Sequence, residues 1–301
     1  MKENKFESIR PKSGLTYALK YAAYHLKQGI GKSKHKFYKE NGGKSPYVHS
    51  YSTFNRYMGI AKEFVNWAKA QGINKLHKVE YEHVKKFLLQ KAENGASKKT
   101  LKVNMSALKK FFEVVKREDI AKQIEKDYVD IYTKGQYNGR ALPFDKPMQV
   151  IERIKNPAHK VMAELQYLTG ARLGDLKKMK IDEERKAVII EKSKGGKTRE
   201  ISYADRPEKF ERIKELHSEL QKYMENEGWK NLRKSYPESV RYAARRAGEI
   251  YSGTHGFRVN YAQERYKELV ERGEPELKAL KKVTEELGHN RISMAKYYIG
   301  A

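Results

Sequence analysis

The sequence predicts a mainly α protein with one small β-hairpin sheet, divided into two domains. Three observations lead to this. Apolar residues recur at spacings of three and four through most of the chain, which is the helical period. The period changes in one segment, KAVIIEKSKGGKTREISY, residues 186–203. The pattern breaks around Gly135, Asn138, Gly139, Pro143 and Pro147, a run of turn-forming residues that suits a linker. A chain of 301 residues is long enough for two domains.

Residues 1–48 read as a basic N-terminal arm. A short helix is expected over 16–26, with Leu15, Ala18, Leu19, Ala22 and Leu26 on one face. The Gly- and Lys-rich stretch that follows reads as a flexible arm or loop. It contains Gly31-Lys32-Ser33 and Gly43-Lys44-Ser45, which look like phosphate loops. Both lack the earlier glycine that the Walker pattern requires, since Leu26 and Tyr38 stand there, so ATP binding is not supported. Residues 49–138 read as a helical DNA-binding domain. Ser52 is placed as the cap of a helix carrying Phe54, Tyr57, Met58, Ala61, Phe64, Val65 and Ala68. A second helix carries Val84, Phe87 and Leu88 and stops at Asn94-Gly95. Ser97 caps a third, with Leu101, Met105, Leu108, Phe111, Phe112 and Val115 on its apolar face. Its other face holds Lys98, Lys99, Lys102, Lys109, Lys110 and Lys116, of which the first four are candidate DNA contacts. Residues 139–301 form the second domain. Two helices are expected over 148–168 and one around Leu173 and Leu176. A strand is expected at Val188–Ile190, a turn at Lys194–Lys197 and a return strand at Glu200–Tyr203, with helices from Pro207 to the end.

Charge narrows the partner. Lys and Arg number 64 against 38 Asp and Glu, a formal net charge of +26. Such an excess repels itself and points to a polyanion; duplex DNA rewards it by releasing condensed counterions. The chain has no cysteine, which excludes disulfides, thiolate metal sites and a thiol nucleophile. The charged N-terminus lacks the apolar core of a signal peptide, and no run approaches the roughly 20 apolar residues of a membrane helix. The expectation is a cytoplasmic protein associated with prokaryotic or viral DNA, with no membrane partner.

Three segments of the second domain carry reactive groups. Breaking a phosphodiester without metal needs a nucleophile, cations for the non-bridging oxygens and a proton donor for the leaving oxygen. Arg suits the second task because its planar, permanently charged fork matches phosphate oxygens. The first segment is Leu168-Thr169-Gly170-Ala171-Arg172-Leu173-Gly174-Asp175, with an Arg after a glycine turn. The second is Thr254-His255-Gly256-Phe257-Arg258, where His and Arg three apart share a helix face, with about 5–6 Å between β-carbons. The third is Leu287-Gly288-His289, followed by Tyr297 and Tyr298. Taken singly, each has an ordinary structural reading: a surface Arg, a paired His and Arg, packed tyrosines.

Order and spacing set them apart. Arg172, Lys194, His255, Arg258, His289 and Tyr298 occur in that order, and Tyr298 lies nine residues past His289. This series resembles the tyrosine recombinase (phage integrase) family, which includes Xer and Cre recombinases. The motif resemblance covers residues 143–301; the helical region before it is similar to the family's core-binding domain only in helical character and charge. The resemblance implies a core-binding domain joined to a mixed α/β catalytic domain, the two clamping duplex DNA. It implies that Tyr298 attacks phosphorus to form a 3′-phosphotyrosine, that Arg172 and Arg258 hold the non-bridging oxygens, and that His255 and His289 hydrogen-bond the phosphate. Lys194 resembles the general acid, with Lys197 on the same turn as the alternative, and Asp175 matches a supporting acidic position. Tyr297 is the alternative nucleophile, and spacing favours Tyr298. No metal, ATP or other cofactor is implied. The implied assembly is a homo-tetramer on DNA formed from monomers. Two rival readings are a type IB topoisomerase-like strand transferase and a non-catalytic DNA-binding protein.

Overall fold

The computed structural model describes residues 6, 8–137, 142–193, 196–289 and 291–300. The chain divides into two compact units, Met1–Asn138 and Gly139–Ala301.

The first unit is helical among its described residues: α1 (Leu15–Leu26), α2 (Lys34–Asn41), α3 (Tyr51–Ala70), α4 (Tyr81–Glu93), α5 (Lys98–Val114), α6 (Glu118–Lys126) and α7 (Tyr128–Thr133). The capping serines explain two of the starts. Ser97 accepts from the Thr100 amide at 3.1 Å, as expected for α5. The cap of α3 is Ser50, which accepts from Thr53 at 3.2 Å; Ser52 lies inside the helix. Leu101, Met105, Leu108, Phe111 and Phe112 of α5 are all buried, and Phe64 of α3 meets Phe87 and Phe112 edge-on at 5.5 and 5.6 Å. Such aromatic contacts add about 0.5–1.5 kcal/mol beyond area burial.

The N-terminal segment differs from the expectation of an arm. Leu15, Ala18, Ala22 and Leu26 of α1 are buried in the same core as α3 and α5. An apolar stripe at this spacing gains too much by burial to stay in water, about 1.5–3 kcal/mol for each fully buried leucine. Backbone bonds pin its start, from the Leu15 amide to Asn74 O (3.0 Å) and from the Leu76 amide to Ser13 O (2.9 Å). The Gly- and Lys-rich stretch also contains a helix, α2, capped by Ser33 and closed by Gly42.

The second unit is built from α8 (Pro147–Glu152), α9 (Pro157–Thr169), a 3₁₀ turn (Leu173–Lys178), β1 (Met179–Asp182), β2 (Ala187–Ile190), β3 (Arg199–Ser202), α10 (Pro207–Glu227), α11 (Trp229–Arg246), α12 (Gly256–Glu271), α13 (Glu276–Glu286) and α14 (Ile292–Ile299). Proline in the first turn of α8, α9 and α10 costs no hydrogen bond there and presets the helical φ. The sheet has three antiparallel strands in the order β1-β2-β3, with Met179 opposite Ile190 and Ile190 opposite Arg199. The expected hairpin is β2-β3. The first strand was not foreseen, and the helix expected around Leu173 and Leu176 is a 3₁₀ turn: four residues of alternation directly after that turn carry too little pattern. Arg199 and Ile201 of β3 are both buried while Glu200 and Ser202 are exposed, so Arg199 points inward. A separate apolar cluster joins α12, α13 and α14 through Val259, Ala262, Val283, Leu287, Ala295 and Tyr298.

Candidate active site

The turn after α9 aims Arg172. Gly170 takes the left-handed conformation at φ +59°, and a β-carbon there would lie 2.5 Å from Tyr261 Cδ1, so only glycine fits. Thr169 donates to Leu165 O at 2.6 Å and accepts from the Ala171 amide at 3.2 Å. Buried Gln166 donates to Ala171 O at 3.0 Å and accepts from the Tyr236 hydroxyl at 2.8 Å. With its backbone so fixed, Arg172 directs its guanidinium to Ser193 Oγ (3.3 Å) and Asp175 (3.6 Å). Asp175 is buried, accepts from Ser193 at 2.8 Å and lies 3.6 Å from Arg199 Nη2.

Arg258 sits in the first turn of α12 and has no solvent exposure. It donates to Gly170 O at the end of α9 and to Leu287 O (2.6 Å) at the end of α13. The terminal carbonyls of a helix lack intrahelical partners and carry the negative end of its dipole. The cation thus joins two helix ends that would otherwise leave acceptors unsatisfied. Burial, together with nearby Arg199 and Arg172, pushes its pKa down to about 9, which leaves it cationic at neutral pH.

His255 caps the start of α12, and its Nε2 lies 2.7 Å from the Tyr298 hydroxyl. His289 Nε2 lies 3.2 Å from Arg258 Nη2. Arg can only donate, so Nε2 accepts and the proton of the neutral ring is on Nδ1, which has no hydrogen-bond partner among the described residues. The His289 ring stacks on Tyr298 at 5.3 Å, and the Arg258 guanidinium lies 5.8 Å from the tyrosine ring centre. Burial and then the charges of Arg258, Arg172 and Arg199 push His289 down to about 3. Unfolded His gains its proton near pH 6.5. Between these values acid therefore favours the unfolded chain; this contribution to stability is complete above about pH 6.5 and is lost as pH falls towards 3. Thermal melts should show a smaller loss between pH 7 and pH 5 for His289→Gln than for the wild type; equal losses would contradict the assignment.

The site thus brings together Arg172, Asp175, His255, Arg258, His289 and Tyr298. Tyr298 is 7% exposed and Tyr297 is 39% exposed, its ring at right angles to that of Tyr298. Lys194 lies outside the described residues. Lys197 is exposed, and its carbonyl accepts from the Ser193 amide at 2.7 Å. In the first unit Lys99 and Lys102 are exposed and Lys98 is half-buried over Tyr132. Lys109 is not available as a free cation, because it pairs with Glu125 at 2.7 Å and Glu113 at 3.9 Å.

A family model described as the phage integrase N-terminal SAM-like domain matches residues 46–119. The tyrosine recombinase XerC of Bacillus pumilus (strain SAFR-032) is 24% identical over 159 residues, 50% of this chain and 52% of that protein. The XerC of Bacillus subtilis (strain 168) is 26% identical over 133 residues, 42% of this chain and 43% of that protein. Over these stretches the chain is similar to tyrosine recombinases and to the N-terminal domain of phage integrases. It spans about half the length of the curated relatives it matches. The fold is that of lambda integrase. A lambda integrase dimer bound to a COC′ core site superposes with a TM-score of 0.63 at 17% identity, covering 96% of this chain and 78% of that one. A lambda integrase tetramer bound to a Holliday junction gives 0.63 at 19% identity, covering 95% and 77%.

Three further residues surround the site. Ser193 joins the β2-β3 turn to Asp175 and Arg172. Arg199 donates to Glu286 O at 2.6 Å. The buried Glu286 carboxylate accepts from the Tyr261 hydroxyl (2.7 Å) and Arg265 Nε (3.1 Å), tying α12 to α13. Only Arg199 left a trace in the sequence: it falls in register with Ile201 and Tyr203, on the side of the strand that turns into the core.

Proposed function

We propose that this chain breaks and rejoins DNA strands at specific sites through a 3′-phosphotyrosine on Tyr298, without metal or ATP. The observation that carries this reading is the Tyr298 hydroxyl, 2.7 Å from His255 Nε2 and grouped with Arg258 and His289. A tyrosine of ordinary acidity attacks slowly unless a base takes its proton or cations favour the phenolate. His255 meets the first need and the guanidiniums the second.

The step is a displacement at phosphorus. The Tyr298 oxygen bonds to phosphorus as the bond to the 5′ oxygen breaks, and the phenolic proton passes to His255 Nε2. Arg172 and Arg258 neutralise the non-bridging oxygens, and the Nδ1–H of His289 donates to one of them. Asp175 orients Arg172. By the family resemblance Lys194 protonates the leaving oxygen, giving a free 5′ hydroxyl. A 5′ hydroxyl from another strand reverses the step, so the phosphodiester energy is kept in the protein linkage. In the free chain the Tyr298 ring lies over Arg258, which has no exposure; the phosphate reaches the guanidinium by displacing that ring.

Duplex DNA is the proposed partner, and a tetramer the proposed working assembly. The excess of 26 positive charges supports the first. The lambda integrase complexes, a dimer on a core site and a tetramer on a Holliday junction, support both by analogy of fold. Lys98, Lys99 and Lys102 are the proposed backbone contacts of the first unit. The test is covalent capture. Nicked duplex should yield a protein–DNA adduct stable to denaturant, formed equally well in EDTA; adduct that requires added metal would overturn the proposed chemistry.

A further inference from the structure

We propose that Arg199 is a positioning residue for this site, holding the Arg172 turn and the Gly288–His289 turn in register around one scissile phosphate. The inference rests on the strand-cleavage reading above.

The first argument concerns burial. The Arg199 side chain is 4% exposed, at an inward position of β3 beside Ile201. Removing a cation from water costs several kcal/mol unless its donors are met, and a well-packed apolar residue is often at least as stable in its place. Arg199 is met only in part. Nη1 donates to Glu286 O, while Nε and Nη2 have no hydrogen-bond partner among the described residues. Burial and the neighbouring Arg172 push its pKa down to about 10, against the pull of Asp175. Fold stability alone does not account for a cation at this position.

The second argument concerns what the side chain connects. On one side Nη2 lies 3.6 Å from Asp175 Oδ2, the same oxygen that faces Arg172 Nη1 at 3.6 Å and accepts from Ser193. On the other side Arg199 binds the last carbonyl of α13. Its Cδ lies 3.0 Å from where a β-carbon on Gly288 would stand, and Gly288 is left-handed at φ +65°. The glycine therefore lets the backbone cross the arginine stem, and the next residue, His289, is set against Tyr298. One guanidinium thus spans the carboxylate that orients the first clamp arginine and the turn that presents the second histidine. Its charge adds to those of Arg172 and Arg258 at the place where phosphate charge must be neutralised.

This role predicts a loss specific to phosphate charge. Wild type, Arg199→Gln and Arg199→Lys would be compared on nicked duplex selected by the wild type from a random-sequence library. The cleaved position would carry either an ordinary phosphate or an uncharged methylphosphonate, with adduct rate as the readout and melts as the control for folding. On phosphate, Arg199→Gln should be slower by about 10²-fold, the usual scale for weakening one electrostatic contact in a site. On methylphosphonate, where less charge needs neutralising, the loss relative to wild type should shrink to under about 10-fold. Arg199→Lys, which keeps the charge, should lose less on phosphate than Arg199→Gln and nothing on methylphosphonate. If Arg199→Gln does not fold, Arg199→Lys carries the comparison alone. Equal losses on both substrates in folded protein would overturn the positioning role and leave the site reading intact. No adduct from the wild type on either substrate would overturn the site reading and this inference with it.

Discussion

Tyr298→Phe should remove the covalent adduct while leaving DNA affinity unchanged, and Tyr297→Phe should keep the adduct. The two tyrosines are adjacent, and α14 sends them in different directions. Tyr298 packs into the α12–α13–α14 cluster with its hydroxyl on His255. Tyr297 has much of its surface in solvent. Phe at position 298 keeps the ring that stacks on His289, so little stability is lost and the missing oxygen is the whole change. Denaturing gels on nicked duplex, with binding measured in parallel at one fixed salt concentration, separate the two effects. Adduct retained by Tyr298→Phe and lost by Tyr297→Phe would move the nucleophile by one residue.

Arg258→Lys should slow adduct formation by at least about 10²–10³-fold in a protein that still folds, the scale seen when one preorganised contact to developing charge is removed. Arg258 donates to Gly170 O and Leu287 O and faces His289 Nε2. A lysine ammonium carries the charge but lacks the planar fork that reaches separated acceptors at once. Arg258→Ala is the harsher change. It also strands two buried carbonyls, each costing about 1–3 kcal/mol when left unsatisfied. Its activity loss should therefore come with a lower melting temperature. Arg258→Lys is the cleaner variant, and a rate near wild type for it would mean that this guanidinium does not act on the phosphate.

Much of this arrangement was legible in the sequence because local rules and global fold agree there. Ser97 caps α5, and the apolar stripe that follows is buried as its spacing requires. Thr169-Gly170-Ala171-Arg172 reads as a turn because Gly170 must be left-handed, and the nine-residue step from His289 to Tyr298 brings the two rings face to face. Other features depend on contacts far apart in sequence. Leu15 to Leu26 read as part of an arm because their partners lie on α3 and α5. Lys109 read as a DNA contact because nothing local announces its pairing with Glu125, sixteen residues on. The first strand is only four residues long and makes sense once β2 lies beside it. Arg199 is hardest to see: its meaning comes from Asp175 and from Glu286 and Gly288, which the fold brings to it from two other segments.

The most direct test is to identify the two ends of the covalent link. Nicked duplex would be incubated with the protein in EDTA, the adduct isolated under denaturing conditions, digested and mapped by mass spectrometry, and the freed DNA end characterised. The expected result is a single modified peptide, joined through Tyr298 to a 3′-phosphate, with a free 5′ hydroxyl on the released strand. Attachment through any other residue, a 5′-phosphate linkage, or no adduct from folded, DNA-binding protein would contradict the proposed chemistry.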